Sequence, residues 1–258
     1  MSKKKTKVLG ILGAAALVVA ATERAEAALF VSISANAANA TCDNGTAAGV
    51  TACTAAGFAT SLNSNNIGFG GALGAFSVGG YTFSGTSGVN ANVPGDAPSF
   101  VSDSKLTVTH TTGAGDLTVD FAAYNFTIPA GPLMSLSAAS TGDYTLAQLG
   151  DLSRFTAWAR ADNLTTIPGG TAVAVTPDCV PGVGLTKSCR TESGDVLFTR
   201  LATPFSLTGR EFIHEAIGSI GSYQGTAAVT AVPEPVTMLL LGTGLIAVTR
   251  RLRKRAAK

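Results

Sequence analysis

Apolar and polar residues alternate with a period of two over much of the region 80–232. Leu106 and Val108 alternate with threonines, and a second alternating run spans 117–121. A strand with one face in a core and the other in solvent has this period. Because glycine-rich residues 113–116 separate the two runs, the pattern predicts a β-hairpin with a glycine-rich turn.

Short segments with the composition of strands recur along the same region. Turn-forming residues separate them, and they are 80–85, 124–128, 155–161, 171–176, 196–201, 205–208 and 226–232. Helical periodicity is nearly absent, although 151–160 is also compatible with a short helix. Many short strands with turns between them predict a mainly β fold, with an antiparallel β-sandwich-like domain over 80–231.

The preceding region, 28–79, has a different amino-acid composition. Ala, Asn, Ser, Thr and Gly dominate it, and large apolar residues are few. A segment of this composition buries little apolar surface. It therefore predicts a loosely ordered N-terminal arm ahead of the β-rich domain.

The first 27 residues have the three parts of a secretory signal peptide. Lysines at 3–5 and 7 precede an apolar stretch over 8–21, and Ala25-Glu26-Ala27 follows as an A-x-A cleavage triplet. This order predicts a signal helix over 1–27, removed by signal peptidase after Ala27. An uncleaved N-terminal anchor is the alternative.

The other end of the chain combines a polar kink, an apolar run and a basic cluster. Pro233, Glu234 and Pro235 interrupt any upstream helix, and an apolar run over 236–249 follows. Pro235 is well placed ahead of a new helix, since a first helical residue needs no amide proton. The run is shorter than the ~20 residues of a full span. Snorkelling of lysine and arginine side chains and local thinning of the bilayer can compensate for this. It predicts a C-terminal transmembrane helix.

A basic cluster, which would stop transfer across the membrane, closes this segment. Its members are Arg250, Arg251, Arg253, Lys254 and Arg255. Basic residues beside a span stay on the cytoplasmic side, so everything before Pro233 is predicted to lie on the far side. A plain C-terminal anchor is the alternative to a sorting signal. A GPI signal fits poorly, because such signals end in apolar residues.

The tail resembles the PEP-CTERM sorting signal of Gram-negative bacteria. The resemblance rests on Val-Pro-Glu-Pro at 232–235, on Leu-Leu-Gly-Thr-Gly-Leu at 240–245 and on the two arginines that follow the apolar run. It implies recognition of Pro233, Glu234 and Pro235 by an exosortase, a membrane-embedded cysteine protease or transpeptidase. It also implies that 232–255 is a sorting signal and that this chain is the substrate of the exosortase. Proteins of this kind are exported to the cell surface or extracellular matrix and are made alongside exopolysaccharide.

Charge is distributed unevenly between the ends and the body. Residues 28–232 carry seven lysines and arginines against thirteen aspartates and glutamates, so the basic excess of the whole chain lies in its two ends. A mildly acidic body has no basic patch to follow a phosphate backbone. Nucleic acid is therefore not an expected partner.

Four cysteines lie in two close pairs, Cys42 with Cys53 and Cys179 with Cys189. An even number of cysteines in an exported chain predicts disulfides. Three pairings are possible, and the two local loops are the simplest. A zinc site usually needs a C-x-x-C pair, which is missing, so no metal is expected.

Catalytic groupings are not recognisable in the sequence, and no cofactor is expected. A G-x-S-x-G elbow is missing, and His214 lacks the second histidine of H-E-x-x-H. The leading hypothesis is therefore a non-enzymatic surface or matrix protein. Two alternatives stay open, namely a carbohydrate-binding module with clustered exposed aromatics and a secreted hydrolase. The hydrolase needs two carboxylates, or a carboxylate and His214, in a cleft.

Overall fold

The computed structural model describes most of the chain between the two predicted membrane segments. The described residues are 28–70, 76–84, 87–92, 97–113, 115–129, 131–199 and 204–233. The predicted signal helix over 1–27 and the predicted transmembrane helix over 236–249 lie outside these residues.

The first half of the described chain is built from short strands and one helix. They are β1 (Ala28–Ala35), β2 (Ala38–Asp43), α1 (Ala47–Ala55), β3 (Phe58–Ala59), β4 (Asn66–Phe69), β5 (Phe76–Val78), β6 (Tyr81–Ser84), β7 (Gly88–Ala91), β8 (Ser99–Ser104) and β9 (Leu106–His110).

The second half contains longer strands. They are β10 (Leu117–Phe126), β11 (Leu133–Ala147), β12 (Leu152–Arg160), β13 (Ala172–Val175), β14 (Gly184–Glu192), β15 (Val196–Thr199), β16 (Phe205–His214) and β17 (Ile220–Ala231). The fold is mainly β, as the alternation predicted.

The described strands form two antiparallel sheets. Sheet A has the order β13-β12-β16-β10-β1-β2. In sheet B, β17 is central, with β11 on one side and β8 followed by β9 on the other. Beyond β11 lie β14 and β15, and beyond β8 and β9 lie β7 and β6, then β4 and β5.

The inward faces of the two sheets enclose one hydrophobic core. On β1, Leu29, Val31 and Ile33 are fully buried at every second position. On β17, Ala227 and Val229 alternate with more exposed residues in the same way. Burying a large aliphatic or aromatic side chain contributes about 1.5–3 kcal/mol, so this alternation stabilises the β-sandwich-like arrangement.

Residues 28–69 do not form the loosely ordered arm that their composition predicted. β1 lies inside sheet A, paired with β10 on one side and β2 on the other. Asn44 accepts a hydrogen bond from the Leu29 amide at 2.8 Å, and its own amide donates to the Ser64 carbonyl at 2.7 Å. Small polar residues therefore order this segment through hydrogen bonds, which composition alone does not reveal.

The hairpin predicted over 106–121 is also wrong, although both of its strands exist. β9 pairs with β17 and β6 in sheet B, whereas β10 pairs with β1 and β16 in sheet A. The glycine-rich connection therefore crosses from one sheet to the other. By contrast, the strand predicted over 155–161 is confirmed, since residues 152–160 form β12 and not the alternative helix.

The strands run between two ends of the sandwich, called here the proximal and distal poles. At the proximal pole β1 begins at Ala28 and β17 ends at Ala231. The Ser99 hydroxyl donates to the Ile128 carbonyl there and joins the sheets. At the distal pole the Asn36 side chain donates to the Gly79 carbonyl at 2.5 Å. Both chain ends of the described body thus lie at the proximal pole.

Candidate functional site

The C-terminal exit of the chain is the end of a central strand. β17 is hydrogen-bonded to β11 along its length, with Ala231 opposite Met134. The Val232 amide donates to the Leu133 carbonyl at 3.1 Å, which extends the pairing one residue beyond the strand. Pro233 has no amide proton and cannot continue the ladder. The β17–β11 ladder therefore ends immediately before the Pro-Glu-Pro segment.

Burial changes sharply over these last residues. Val229 is fully buried, whereas Thr230, Ala231 and Pro233 are exposed. The side chains of Glu234 and Pro235 and the basic cluster lie outside the described residues. In the part of the chain that is described, no helix is long and apolar enough to cross a membrane.

Two disulfides are present, and they are the local pairs. Cys42–Cys53 joins β2 to α1, and Cys179–Cys189 joins the loop after β13 to β14. Cys53 is the buried residue of α1, so the first disulfide attaches this helix to the body. The described residues contain no group of three or more metal-ligating side chains.

Two carboxyl groups from opposite sheets meet inside the sandwich. Asp103 of β8 and Glu211 of β16 are fully buried. The Gly225 amide donates to Asp103, and the Ser140 hydroxyl donates to Glu211 at 3.4 Å. Burial raises the pKa of both carboxyls well above the usual range, and the charge of Asp103 raises the pKa of Glu211 further.

A third buried acid lies where β16 leads into β17. Glu215 accepts a hydrogen bond from the Tyr223 hydroxyl at 2.6 Å. Burial raises the pKa of Glu215 to about 8, and the charge of Asp151 adds to this shift. A Cβ at Gly221 would lie 2.8 Å from Glu215, and one at Gly225 would lie 2.8 Å from Glu211. Glycines of β17 therefore provide the space that these carboxyls occupy.

A usable signal for one of these acids is present in the sequence. Glu211 continues the period-two alternation of Leu207 and Ile213 in β16, so an inward acid is readable from the pattern. Its partner Asp103 lies in β8, a strand that the pattern did not predict. The contact between the two acids was therefore not predictable, because it depends on the pairing of β8 with β17.

A carboxylate and a histidine do come together at the distal pole. His214 Nδ1 lies 2.6 Å from Asp116 Oδ1, and each side chain is 45% exposed. Asp116 also lines an open groove of about 280 Å³. The other lining residues are Ser34, Ala35, Asn36, Ala37, Ala38, Asn39 and Thr118. His110, by contrast, is buried and stacked on Tyr81.

The aromatic side chains divide into buried and partly exposed groups. Trp158, Tyr81, Tyr144 and Tyr223 are buried, which excludes them as a stacking surface. Phe30, Tyr124 and Phe212 are partly exposed and share the outer face of sheet A. Arg210 and Asp120 form a two-bonded ion pair on the same face, at 2.6 and 2.7 Å.

Comparison with protein families identifies one segment of the chain. The model of the PEP-CTERM protein-sorting motif matches residues 231–254. No curated protein matches the chain significantly. The motif marks an exported protein that an exosortase sorts to the cell surface or beyond. The match begins at Ala231, the last residue of β17, so the motif starts within the folded body.

Proposed function

We propose that this chain is a non-enzymatic cell-surface or extracellular-matrix protein, associated with exopolysaccharide or biofilm. Signal peptidase removes 1–27, and the exosortase recognises Pro233, Glu234 and Pro235 while 236–249 spans the membrane. The body is released or transferred after processing. The continuity of β17 with the sorting motif is the observation that carries this proposal.

The position of both chain ends supports an attached, outward-facing body. Ala28 and Ala231 lie at the proximal pole, so both predicted membrane segments lead into the same end of the sandwich. The distal pole then faces away from the membrane. Two disulfides and a mildly acidic surface suit a body that works outside the cell.

The test is the intact mass of the protein in the membrane and extracellular fractions of the native host. We expect an extracellular product that begins at Ala28 and ends near Pro233. Glu234→Ala should leave a membrane-bound form that retains Arg250–Lys258, whereas Glu192→Ala should be processed normally. A wild-type protein that keeps its basic end in every fraction would reduce the tail to an anchor.

Carbohydrate binding is the second candidate, and the groove at the distal pole favours it. Asn36, Asn39 and Asp116 offer amide and carboxylate groups to hydroxyls, and Thr118 lies opposite Phe212 on the neighbouring strand. Sugar recognition combines such hydrogen bonds with an aromatic surface. Asn36→Ala and Phe212→Ala should then each weaken retention in gels containing host exopolysaccharide. Gln224→Ala, exposed on sheet B, is the matched control.

A secreted hydrolase is the remaining alternative, and the exposed His214–Asp116 pair is its best candidate for a catalytic pair. The buried acids Asp103 and Glu211 are less suitable, because they lie in the closed core. If the body hydrolysed the exopolysaccharide and His214→Ala abolished that activity, the non-enzymatic assignment would fail. We expect no such activity.

A further inference from the structure

The last strand and the sorting motif use the same residues. The motif begins at Ala231, which closes the β17–β11 ladder opposite Met134. One residue further on, the Val232 amide is bonded to the Leu133 carbonyl at 3.1 Å. These residues therefore serve two structures, the sheet and the recognition segment.

The sheet and an enclosing enzyme cleft compete for the same backbone. A protease cleft encloses its substrate as an extended segment on both sides of the cleaved bond, whereas residues 230–232 are paired with β11 along one edge. The pairing of β17 with β8 ends at Val229 opposite Ser99, so β11 is the neighbouring strand that covers this end. An enzyme cleft that takes up residues next to Pro233 must first displace β11.

Burial limits how far this displacement can extend. Thr230 and Ala231 are exposed, so their release from the sheet uncovers little apolar surface. Val229 is fully buried, and its release would open the core. Fraying of the strand end therefore stops at Val229, and about three residues can leave the sheet without unfolding the body.

We infer that the exosortase acts on a frayed form in which residues 230–232 have left β11, so that this ladder end limits the rate of processing. The inference rests on the proposed function. In the processing step a peptide bond near Pro233 breaks. Water or an amine acceptor takes the acyl group, and the C-terminal segment leaves as an amine.

A reversible clamp tests this directly. Ala231 and Met134 form a non-hydrogen-bonded pair, because the neighbouring Val232–Leu133 pair is the bonded one. Such pairs have Cα atoms about 4.5 Å apart, within disulfide range. The double variant Ala231→Cys, Met134→Cys should accumulate unprocessed in the oxidised state. Added reductant should restore processing to the rate of the Met134→Cys single variant.

The matched control places a disulfide on the same two strands away from their end. Ala227 and Ala138 form another non-hydrogen-bonded pair, and both are buried. Ala227→Cys with Ala138→Cys should be processed at the wild-type rate, oxidised or reduced. Equal processing of the two oxidised variants would overturn the inference, whereas inhibition confined to the 231–134 clamp would support it.

A linker provides the opposite perturbation. Six Gly and Ser residues inserted between Val232 and Pro233 separate the motif from the sheet. Because the hydrogen bonds of residues 230–232 to β11 no longer have to break, processing should accelerate at least about tenfold in pulse-chase labelling. An unchanged or slower rate would overturn the inference. If the wild-type chain were never processed in an exosortase-bearing host, the proposed function would fail, and the inference with it.

Discussion

Asp103 and Glu211 are unusual at the level of single residues because both are acids in a closed apolar interior. Each keeps one carboxylate oxygen without a hydrogen-bond partner among the described residues. A buried carboxylate is strongly disfavoured, so burial raises the pKa of both groups and favours their protonated forms. The stability of the sandwich therefore depends on the pH of its surroundings.

For Glu215, the pH range over which its contribution to stability changes can be stated. Its pKa is about 8 in the folded protein against 4.5 for the ordinary group, so the folded state retains a proton that the unfolded state has lost. The contribution of Glu215 to the free energy of unfolding is fully present below pH 4.5 and should be lost as pH rises to about 8. Glu215→Gln should reduce this slope by up to about 1 kcal/mol per pH unit.

Urea unfolding at a series of pH values measures this slope. Glu192→Gln removes an exposed carboxyl and is the matched control, for which the slope should stay at the wild-type value. A Glu215→Gln variant with the wild-type slope would contradict the assignment.

Asn44 is a second residue whose contribution to the free energy of unfolding can be measured by itself. Its side chain bonds the Leu29 amide and the Ser64 carbonyl, and it is fully buried. Asn44→Ala leaves both backbone groups unpaired and should lower the free energy of unfolding by about 3 kcal/mol. Asn39→Ala, at an exposed position, should change it by less than about 0.5 kcal/mol, as equilibrium unfolding can show.

Among the elements, α1 depends on its disulfide more than on packing. Cys53 is its buried residue, so little apolar surface holds the helix against the body. Cys42→Ser with Cys53→Ser should cost about 2–3 kcal/mol and open residues 47–55 to limited proteolysis. The corresponding Cys179 and Cys189 double variant should leave that segment protected. Equal cleavage of both variants would argue against a local role.

The sequence predicted elements well where large apolar residues alternate and poorly where small ones do. β9 and β10 contain Leu, Val and Phe at inward positions and are visible as alternating runs. β11 is the longest strand, yet its inward positions include Ala138, Ser140 and Gly142, which carry little hydrophobic signal. Such a strand is detectable only from its neighbours.

Pairing partners were less predictable than strands. Two consecutive strands with a glycine-rich turn normally form a hairpin, but β9 and β10 enter different sheets. The choice depends on long-range contacts of β17 and β1, which no local pattern encodes. The tail was predictable because it is read as a linear signal, and the family match at 231–254 confirms it.

At the scale of the whole molecule, β17 is the strand on which sheet B depends. It pairs with β11 along one edge and with β8 and β9 along the other. A body that ends after Val232 should therefore unfold at the same temperature as the processed wild-type protein. One that ends after Gln224 should fail to fold, since Ala227 and Val229 are lost from the core. Circular dichroism on heating distinguishes the two.

The direction of β17 has a mechanical consequence while the tail is still attached. If the distal pole is held by a matrix polymer and the tail by the membrane, as proposed above, a pull on the tail acts along the strand axis. Antiparallel hydrogen bonds lie perpendicular to that axis, so both ladders of β17 are loaded in shear. Bonds loaded in this way share the force and must rupture together. Such a pull would be resisted by two ladders at once over residues 220–223 and 226–229 of β17, where the strand is paired along both edges.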